Sequence, residues 1–518
     1  MDCFLASKKK RALIYAAAFF AVLAVYLLRA TSSGLWFDES IEYYFSRTLQ
    51  GPVPGGRSNY SMYDRIVTTY QPPLYNWLMY VWLSVYDSEF WFRLAGIVTT
   101  FVGGAGVYAA FREITDKDWA AMGALAYLLA GGVSEYALEA GEYNLLMCMM
   151  CWALCFYLRA RKSGTRGAVF GFAVFSCLAA YSQYGAVFLI VPMYVSLLLR
   201  CVRQKQRLGE LVFSSLFAAI AAALLVYFFL VKQMRLQGSI TVSHAPVFAY
   251  GVIDPFISFG KTFAFTFHGF KWVQAATALP AGLALLAALP RKDKTLLNLL
   301  LIFACGWIAY YLLTACSFYG YNGTYNASQL GTANIGGRYS LMFAPLLSVL
   351  LVYGVYCARA QKQKQERRKR RIAALLCLLA VYSAVGAGSI LATRKKDDIR
   401  EAVQAWYGEQ AFSGKTLVNS WDDALFQFYL THHPDYCEDF QKDILNASWW
   451  ESADTAKLEK GLNERGLLET DGFYYISKAS DDYEAHIVAF TRLLHDRGFD
   501  VQPLYRGSSA LLHIVKPR

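Results

Sequence analysis

Charge is scarce in this sequence: 17% of its 518 residues are Asp, Glu, Lys or Arg, while 56% are hydrophobic and 16% aromatic. Soluble domains carry about a quarter charged residues. With a mean hydropathy of +0.29, the chain needs lipid as solvent for its apolar excess. A disulfide framework is missing too. Of 11 cysteines, Cys148, Cys151, Cys155, Cys177 and Cys305 lie inside apolar stretches, where a thiol behaves as a small hydrophobe. Cys148 and Cys151 have the C-x-x-C spacing but no second pair, so no zinc site is expected. Neither a P-loop nor a Rossmann fingerprint occurs. The apolar runs hold almost no ionisable residues at their centres, which counts against a transporter.

What charge there is has a pattern. The formal +12 comes from 50 Lys+Arg against 38 Asp+Glu, and much of the excess sits in short runs beside apolar segments. This pattern points to membrane topology and anionic headgroups and excludes nucleic acid as a partner. Lys8-Lys9-Lys10-Arg11 precedes the first run, Ala12 to Ala30, which is too long for a signal-peptide core and reads as an anchor with a cytoplasmic N-terminus. Basic loops at 112–117, 159–166, 203–207, 291–294 and 359–371 are then cytoplasmic by the positive-inside rule. Runs near 94–111, 118–133, 144–159, 168–182, 184–200, 209–231, 272–289, 295–316, 338–357 and 372–392 join the first to make roughly 11 spans, in a fold class of roughly 11 to 13 transmembrane helices. An odd count leaves the C-terminus extracytoplasmic in a plasma-membrane protein.

Pro73 to Tyr86 is too short to span and reads as a re-entrant or interfacial helix on the outer face, rich in Tyr and Trp. Residues 1–394 thus form a multi-span domain whose outer loops, 31–72, 134–143, 232–271 and 317–337, should carry the chemistry. Residues 395–518 are mixed and charged, enough for a small core. Strands at Lys415 to Ser420 and Phe473 to Ser477, helices at Asp422 to Leu430 and Asp482 to Arg497, and a final pair around Pro503 and Leu511 to Val515 make a small extracytoplasmic α/β domain. Gly498 suits a helix end.

Asp38 and Glu39 follow the first span by a few residues. Adjacent carboxylates beside an apolar surface are costly unless exposed, paired or catalytic, and partial desolvation makes a carboxylate a better base. The plainer alternative is an N-cap pair for a juxtamembrane helix. Glu135, Glu139 and Glu142 have i, i+4, i+7 spacing and would share one helical face, calling for a cation, a polar substrate or water. Arg338, at the outer start of a span, can clamp a phosphate or snorkel.

Taken in order, Asp38-Glu39 after the first span, Gln71-Pro72-Pro73-Leu74-Tyr75, Phe92-Arg93-Leu94, Glu139-Ala140 with Tyr143, and Arg338-Tyr339 with Pro345 resemble the GT-C glycosyltransferases. The set is similar to the bacterial branch related to protein O-mannosyltransferases and to the aminoarabinose transferase that modifies lipid A. The resemblance covers most of residues 1–395. It implies inverting transfer of a sugar from a polyprenyl-phosphate donor to a hydroxyl of a glycan, lipid or protein acceptor at the outer leaflet of the bilayer. By that resemblance Asp38 is the general base and Glu39 supports it or binds sugar. Glu139 and Glu142 form a second acidic site, Arg338 neutralises the leaving phosphate, and Tyr339 lines the lipid groove. Gln71, Tyr143 and Gln183 fall at substrate-contacting positions.

The departures matter as well. Many relatives have His-Pro-Pro where this chain has Gln71-Pro72-Pro73, Glu-Ala-Arg where it has Glu139-Ala140-Gly141, and Thr-His-Tyr where it has Ser182-Gln183-Tyr184. A divalent metal ion is an optional cofactor at most, with Glu139 and His268, or His244, as its ligands. His432-His433, before Pro434, reads as a surface turn. A second class of function stays open: a non-catalytic receptor or cell-envelope assembly factor that works through the C-terminal domain.

Overall fold

The computed structural model describes residues 8–52, 59–68, 71–204, 208–237, 251–267, 293–316, 337–359, 381–382, 384–388, 390–391, 397–409, 415–419, 423–447, 454–478, 481–508 and 510–518. The N-terminal helices are α1 (Lys8–Arg29), α2 (Phe37–Arg47), α3 (Met62–Thr68), α4 (Leu74–Leu83), α5 (Glu89–Ile114), α6 (Lys117–Leu128) and α7 (Gly131–Ala137). There follow α8 (Glu142–Ser163), α9 (Arg166–Ser182), α10 (Val187–Gln204), α11 (Leu208–Leu225), α12 (Val231–Gln237), α13 (Asp254–Phe267), α14 (Lys294–Ala315) and α15 (Ala344–Arg359). The last four are α16 (Ile399–Glu409), α17 (Asp423–Thr431), α18 (Thr455–Glu464) and α19 (Asp481–Asp496). Two compact units emerge, one of residues 1–29, 66–78 and 93–393, the other of 30–65, 79–92 and 394–518. The tail therefore shares its unit with two segments that the sequence had assigned to the membrane domain.

The first unit is helical. Seven helices among the described residues are long and apolar enough to cross a membrane, at 10–29, 89–114, 142–163, 184–203, 208–236, 294–315 and 338–357, and α9 is a shorter apolar helix. The protein is a multi-pass membrane protein. Of the expected spans, 272–289 lies outside the described residues and 372–392 largely so. The run at 118–133 is divided between α6 and α7, each shorter than a span. Asp116 opens α6 by accepting from the amides of Asp118 and Trp119, and Asp293 opens α14 in the same way. Where α6 ends among apolar side chains, its orphan carbonyls still need donors. Tyr26 donates to Leu128 O at 2.6 Å and Tyr382 to Ala126 O at 3.1 Å.

The second unit holds two sheets. Strands β1 (Gln50–Pro52) and β2 (Asn59–Ser61) form an antiparallel pair, and five strands of the tail form the other sheet. These are β3 (Thr416–Asn419), β4 (Ile444–Ala447), β5 (Phe473–Lys478), β6 (Phe499–Arg506) and β7 (Ala510–Pro517), in the order β4-β3-β5-β7-β6. The β3 strand runs parallel to β4 and β5, while β7 is antiparallel to β5 and β6. Leu417, Phe473, Tyr475 and Val515 from the sheet pack with Leu458, Phe490 and Leu494 from the helices. Gly498, at φ +84°, closes the turn after α19 as its position suggested. The strand β4 and the helices α16 and α18 were not foreseen.

Candidate functional site

In the first unit the acidic residues lie on a bend, and not on the single helical face that their spacing suggested. Helix α7 stops at Ala137, where the amides of Leu138 and Glu139 fold back onto Glu135 O and Tyr136 O. Chain direction resets at Gly141, and Glu142 begins α8. Three carboxylates on one helix would have repelled, whereas the bend spreads them around Tyr136. Its hydroxyl titrates above the ordinary phenol range, through burial first, then the charges of Glu139 and Glu135, with Arg338 opposing and Glu142 adding. Glu139 and Glu142 are 5% and 4% exposed. Asn144 Nδ2 donates to Glu139 O at 2.8 Å and so ties the bend. Gly96 lets the bend approach: a Cβ there would stand 2.8 Å from Asn144 Nδ2 and 2.9 Å from Ala137 O.

An aromatic path joins this bend to Arg338. Tyr136 meets Tyr143 at 5.3 Å, Tyr143 meets Tyr339 at 6.4 Å, and the Arg338 guanidinium lies 5.6 Å from the Tyr339 ring centre. Glu139, Glu142, Tyr143, Arg338 and Tyr339 are thereby gathered in one place. Gln71 and Gln183 belong to a different arrangement in the same unit. Gln183 Oε1 accepts from Gly185 N and shapes its own turn. Gln233, 2% exposed, donates to Gln71 O at 2.8 Å and Ile66 O at 3.3 Å and accepts from Tyr184 OH at 2.7 Å. Both donors and the acceptor of that amide are used, and it pins the turn before Pro72-Pro73 to the turn after α9. Sequence reasoning missed Gln233, although a glutamine late in an apolar span was the available signal.

Asp38 and Glu39 fall in the second unit, in the first turn of α2. Trp36 is the N-cap, and Glu39 Oε2 accepts from Trp36 N at 3.1 Å while its side chain is buried. Glu39 thus caps α2, and Asp38 is a half-buried carboxylate in the same turn. At the other end Arg65, 1% exposed, donates to Tyr44 O at 2.6 Å, Thr48 O at 2.5 Å and Ser61 O at 3.4 Å. A buried cation thus satisfies the last carbonyls of α2. On the helix's side, Tyr43 OH donates to both oxygens of Asp87 at 3.0 Å, and Arg47 Nε donates to Oδ2 at 2.8 Å. Burial pushes the Asp87 carboxyl up, but His432, Arg47 and Tyr43 outweigh it and hold it below the usual value. His432 is thus no isolated surface-turn residue.

Among the described residues no three His, Cys, Asp or Glu side chains gather into a metal-binding group. His244 and His268 lie outside the described residues.

A scan against protein families matches residues 70–231 to the dolichyl-phosphate-mannose-protein mannosyltransferases. Over the chain as a whole the fold is similar to that of solved structures. Two particular structures show the likeness. ArnT from Cupriavidus metallidurans in the apo state has a TM-score of 0.56 at 13% identity, over 97% of each chain. The same protein bound to undecaprenyl phosphate has a TM-score of 0.53 at 14% identity, over 98% of each chain. No curated protein matches the sequence.

Proposed function

We propose that the protein transfers a sugar from a polyprenyl-phosphate donor to an acceptor hydroxyl at the outer face of the membrane, with inversion. The observation that carries this reading is the gathering of Arg338, Tyr339, Tyr143, Glu139 and Glu142 in the membrane unit. A guanidinium at headgroup level beside aromatic rings suits a phosphate on a lipid. The ArnT structure with undecaprenyl phosphate supports a donor of that kind. Phosphate is already a good leaving group, so the chemistry asks for one cation, one base and positioning. Asp38 is the base, a half-buried carboxylate in the first turn of α2, next to the Glu39 that caps the helix. The N-terminus is cytoplasmic and the C-terminal segment extracytoplasmic.

The test is transfer from a panel of radiolabelled polyprenyl-phosphate sugars in membranes holding equal amounts of wild type or Asp38→Asn. Wild type alone should transfer. Equal transfer by both would remove Asp38 from the mechanism, and transfer by neither, with no donor bound, would favour a receptor.

A further inference from the structure

The helix that carries Asp38 is built onto the tail. Leu35 N donates to Tyr429 OH at 2.5 Å, and Phe428 packs edge-on against Tyr43 at 4.8 Å. Arg400 donates to Thr31 O at 3.0 Å and pairs with Glu89. Gly34 lies so close to Asp397 O and Tyr429 OH that a Cβ would meet them at 3.1 and 3.3 Å. One element, α17, thus touches the chain both before and after Asp38.

At the end of α17 stands His432, stacked on Phe428 at 4.2 Å. Its Nδ1 is 2.7 Å from Phe428 O, and a carbonyl can only accept, so Nδ1 carries a hydrogen. Its Nε2 is 3.3 Å from Asp87 Oδ1, the carboxylate that Tyr43 and Arg47 also grip. With Nδ1 committed, Nε2 has a hydrogen to give only when the ring is an imidazolium. A neutral ring would point a lone pair at a carboxylate.

We propose that His432 is a positioning residue for the transfer reaction: through Asp87 and Tyr43 it locks the helix bearing Asp38, and the lock closes fully only when the imidazole is protonated. The proposal rests on the reading of Asp38 as the base. It gives the tail a task in catalysis and makes activity respond to extracytoplasmic acidity. Among the described residues, Asp87 on the turn between α4 and α5 and Tyr43 on α2 face the ring, and Arg47 on α2 pairs with the same Asp87. On its own segment His433 pairs with Asp435 at 3.6 Å. Proton loss from the ring removes one of three donors to Asp87 and leaves Tyr43 and Arg47, so α2 loosens without unfolding.

The test uses full-length protein in lipid nanodiscs, with wild type, His432→Phe, His432→Gln and, as a control, His433→Gln. Hydrogen exchange of the 37–47 backbone, corrected for intrinsic rates, is followed as the pH is raised from acid to alkaline. Protection should fall several-fold with pH in wild type and the control, be low throughout in His432→Phe, and lose its pH dependence in His432→Gln, whose amide can donate at any pH. In the transfer assay kcat of His432→Phe should drop about tenfold or more, since small misplacements near a reacting group can cost about a hundredfold. Donor KM should stay unchanged, and His432→Gln should recover part of the rate. Wild-type exchange and kcat in both His432 variants would overturn the proposal, as would altered exchange with wild-type kcat. Loss of the Asp38 reading shows separately, as transfer by Asp38→Asn.

Discussion

At the residue scale, burial decides which polar side chains matter. Arg65 gives up its hydration to hold three carbonyls, so removing its guanidinium strands them in a dry site. Arg65→Met, which keeps most of the volume, should cost about 2–4 kcal/mol, read as lower thermal stability of the full-length protein. Glu39 makes a sharper case. If it only caps α2, Glu39→Gln, whose amide oxygen can still accept from Trp36 N, should retain near-wild-type transfer, and Glu39→Ala should cost about 1 kcal/mol with donor KM unchanged. A raised sugar-donor KM in Glu39→Gln would show instead that the carboxylate touches substrate. Asp38 and Glu39 could be singled out from sequence because paired acids beside an apolar run are rare. That Glu39 caps α2 could not, because it depends on a side chain reaching back to Trp36.

At the scale of elements, the acidic bend shows where periodicity stops being informative. The spacing of Glu135, Glu139 and Glu142 suits one continuous helix as well as it suits a helix, a turn and a second helix. What chooses the bend is packing against Gly96, from another part of the chain, and a local hydrogen bond from Asn144 that the spacing of the acids does not show. Gly96→Val should therefore displace the bend. We expect about 1–3 kcal/mol of overpacking cost and a clear loss of donor binding, measured by retention of a labelled polyprenyl phosphate. At Gly141 an added Cβ would meet nothing within 4 Å, so Gly141→Ala should have little effect and serves as the control. Elements with a strong local signal, α8, α14 and β5 among them, were readable because apolar length or β-branched and aromatic runs define them. The short β4 strand and the helices α16 and α18 carry weak patterns and owe their form to the sheet and core they join.

At the scale of the whole molecule, the second unit is discontinuous, and truncation experiments must be judged accordingly. Removing residues 395–518 takes away Tyr429, Phe428 and His432 from the segment that carries Asp38. Deletion should abolish function in an enzyme as surely as in a receptor, so Asp38→Asn is the arm that separates the two. The tail also brings an acid sensitivity of its own. His513, opposite Tyr475 in the sheet and stacked on it, has a pKa lowered from 6.5 to about 4, by burial first and by Arg506 second. The folded state therefore resists a proton that the unfolded chain accepts. Stability from this source is whole above pH 6.5 and is lost as pH falls toward 4, by roughly 3 kcal/mol in total. Thermal unfolding of the full-length protein at about pH 7.5 and about pH 5 should show the loss, and His513→Phe should flatten it.

The sequence by itself determined the membrane class, the long apolar helices and the α/β character of the tail. These follow from composition and from local length and order, which every short window of chain expresses on its own. Only the tertiary structure decided that Glu139 and Glu142 sit on a bend around Tyr136, that Gln233 ties Gln71 to Tyr184, and that the segment bearing Asp38 is held by α17. Each of those depends on side chains reaching partners that the local pattern does not name, some of them hundreds of residues away, and hydrogen-bond geometry of that kind leaves no mark on a short window of sequence.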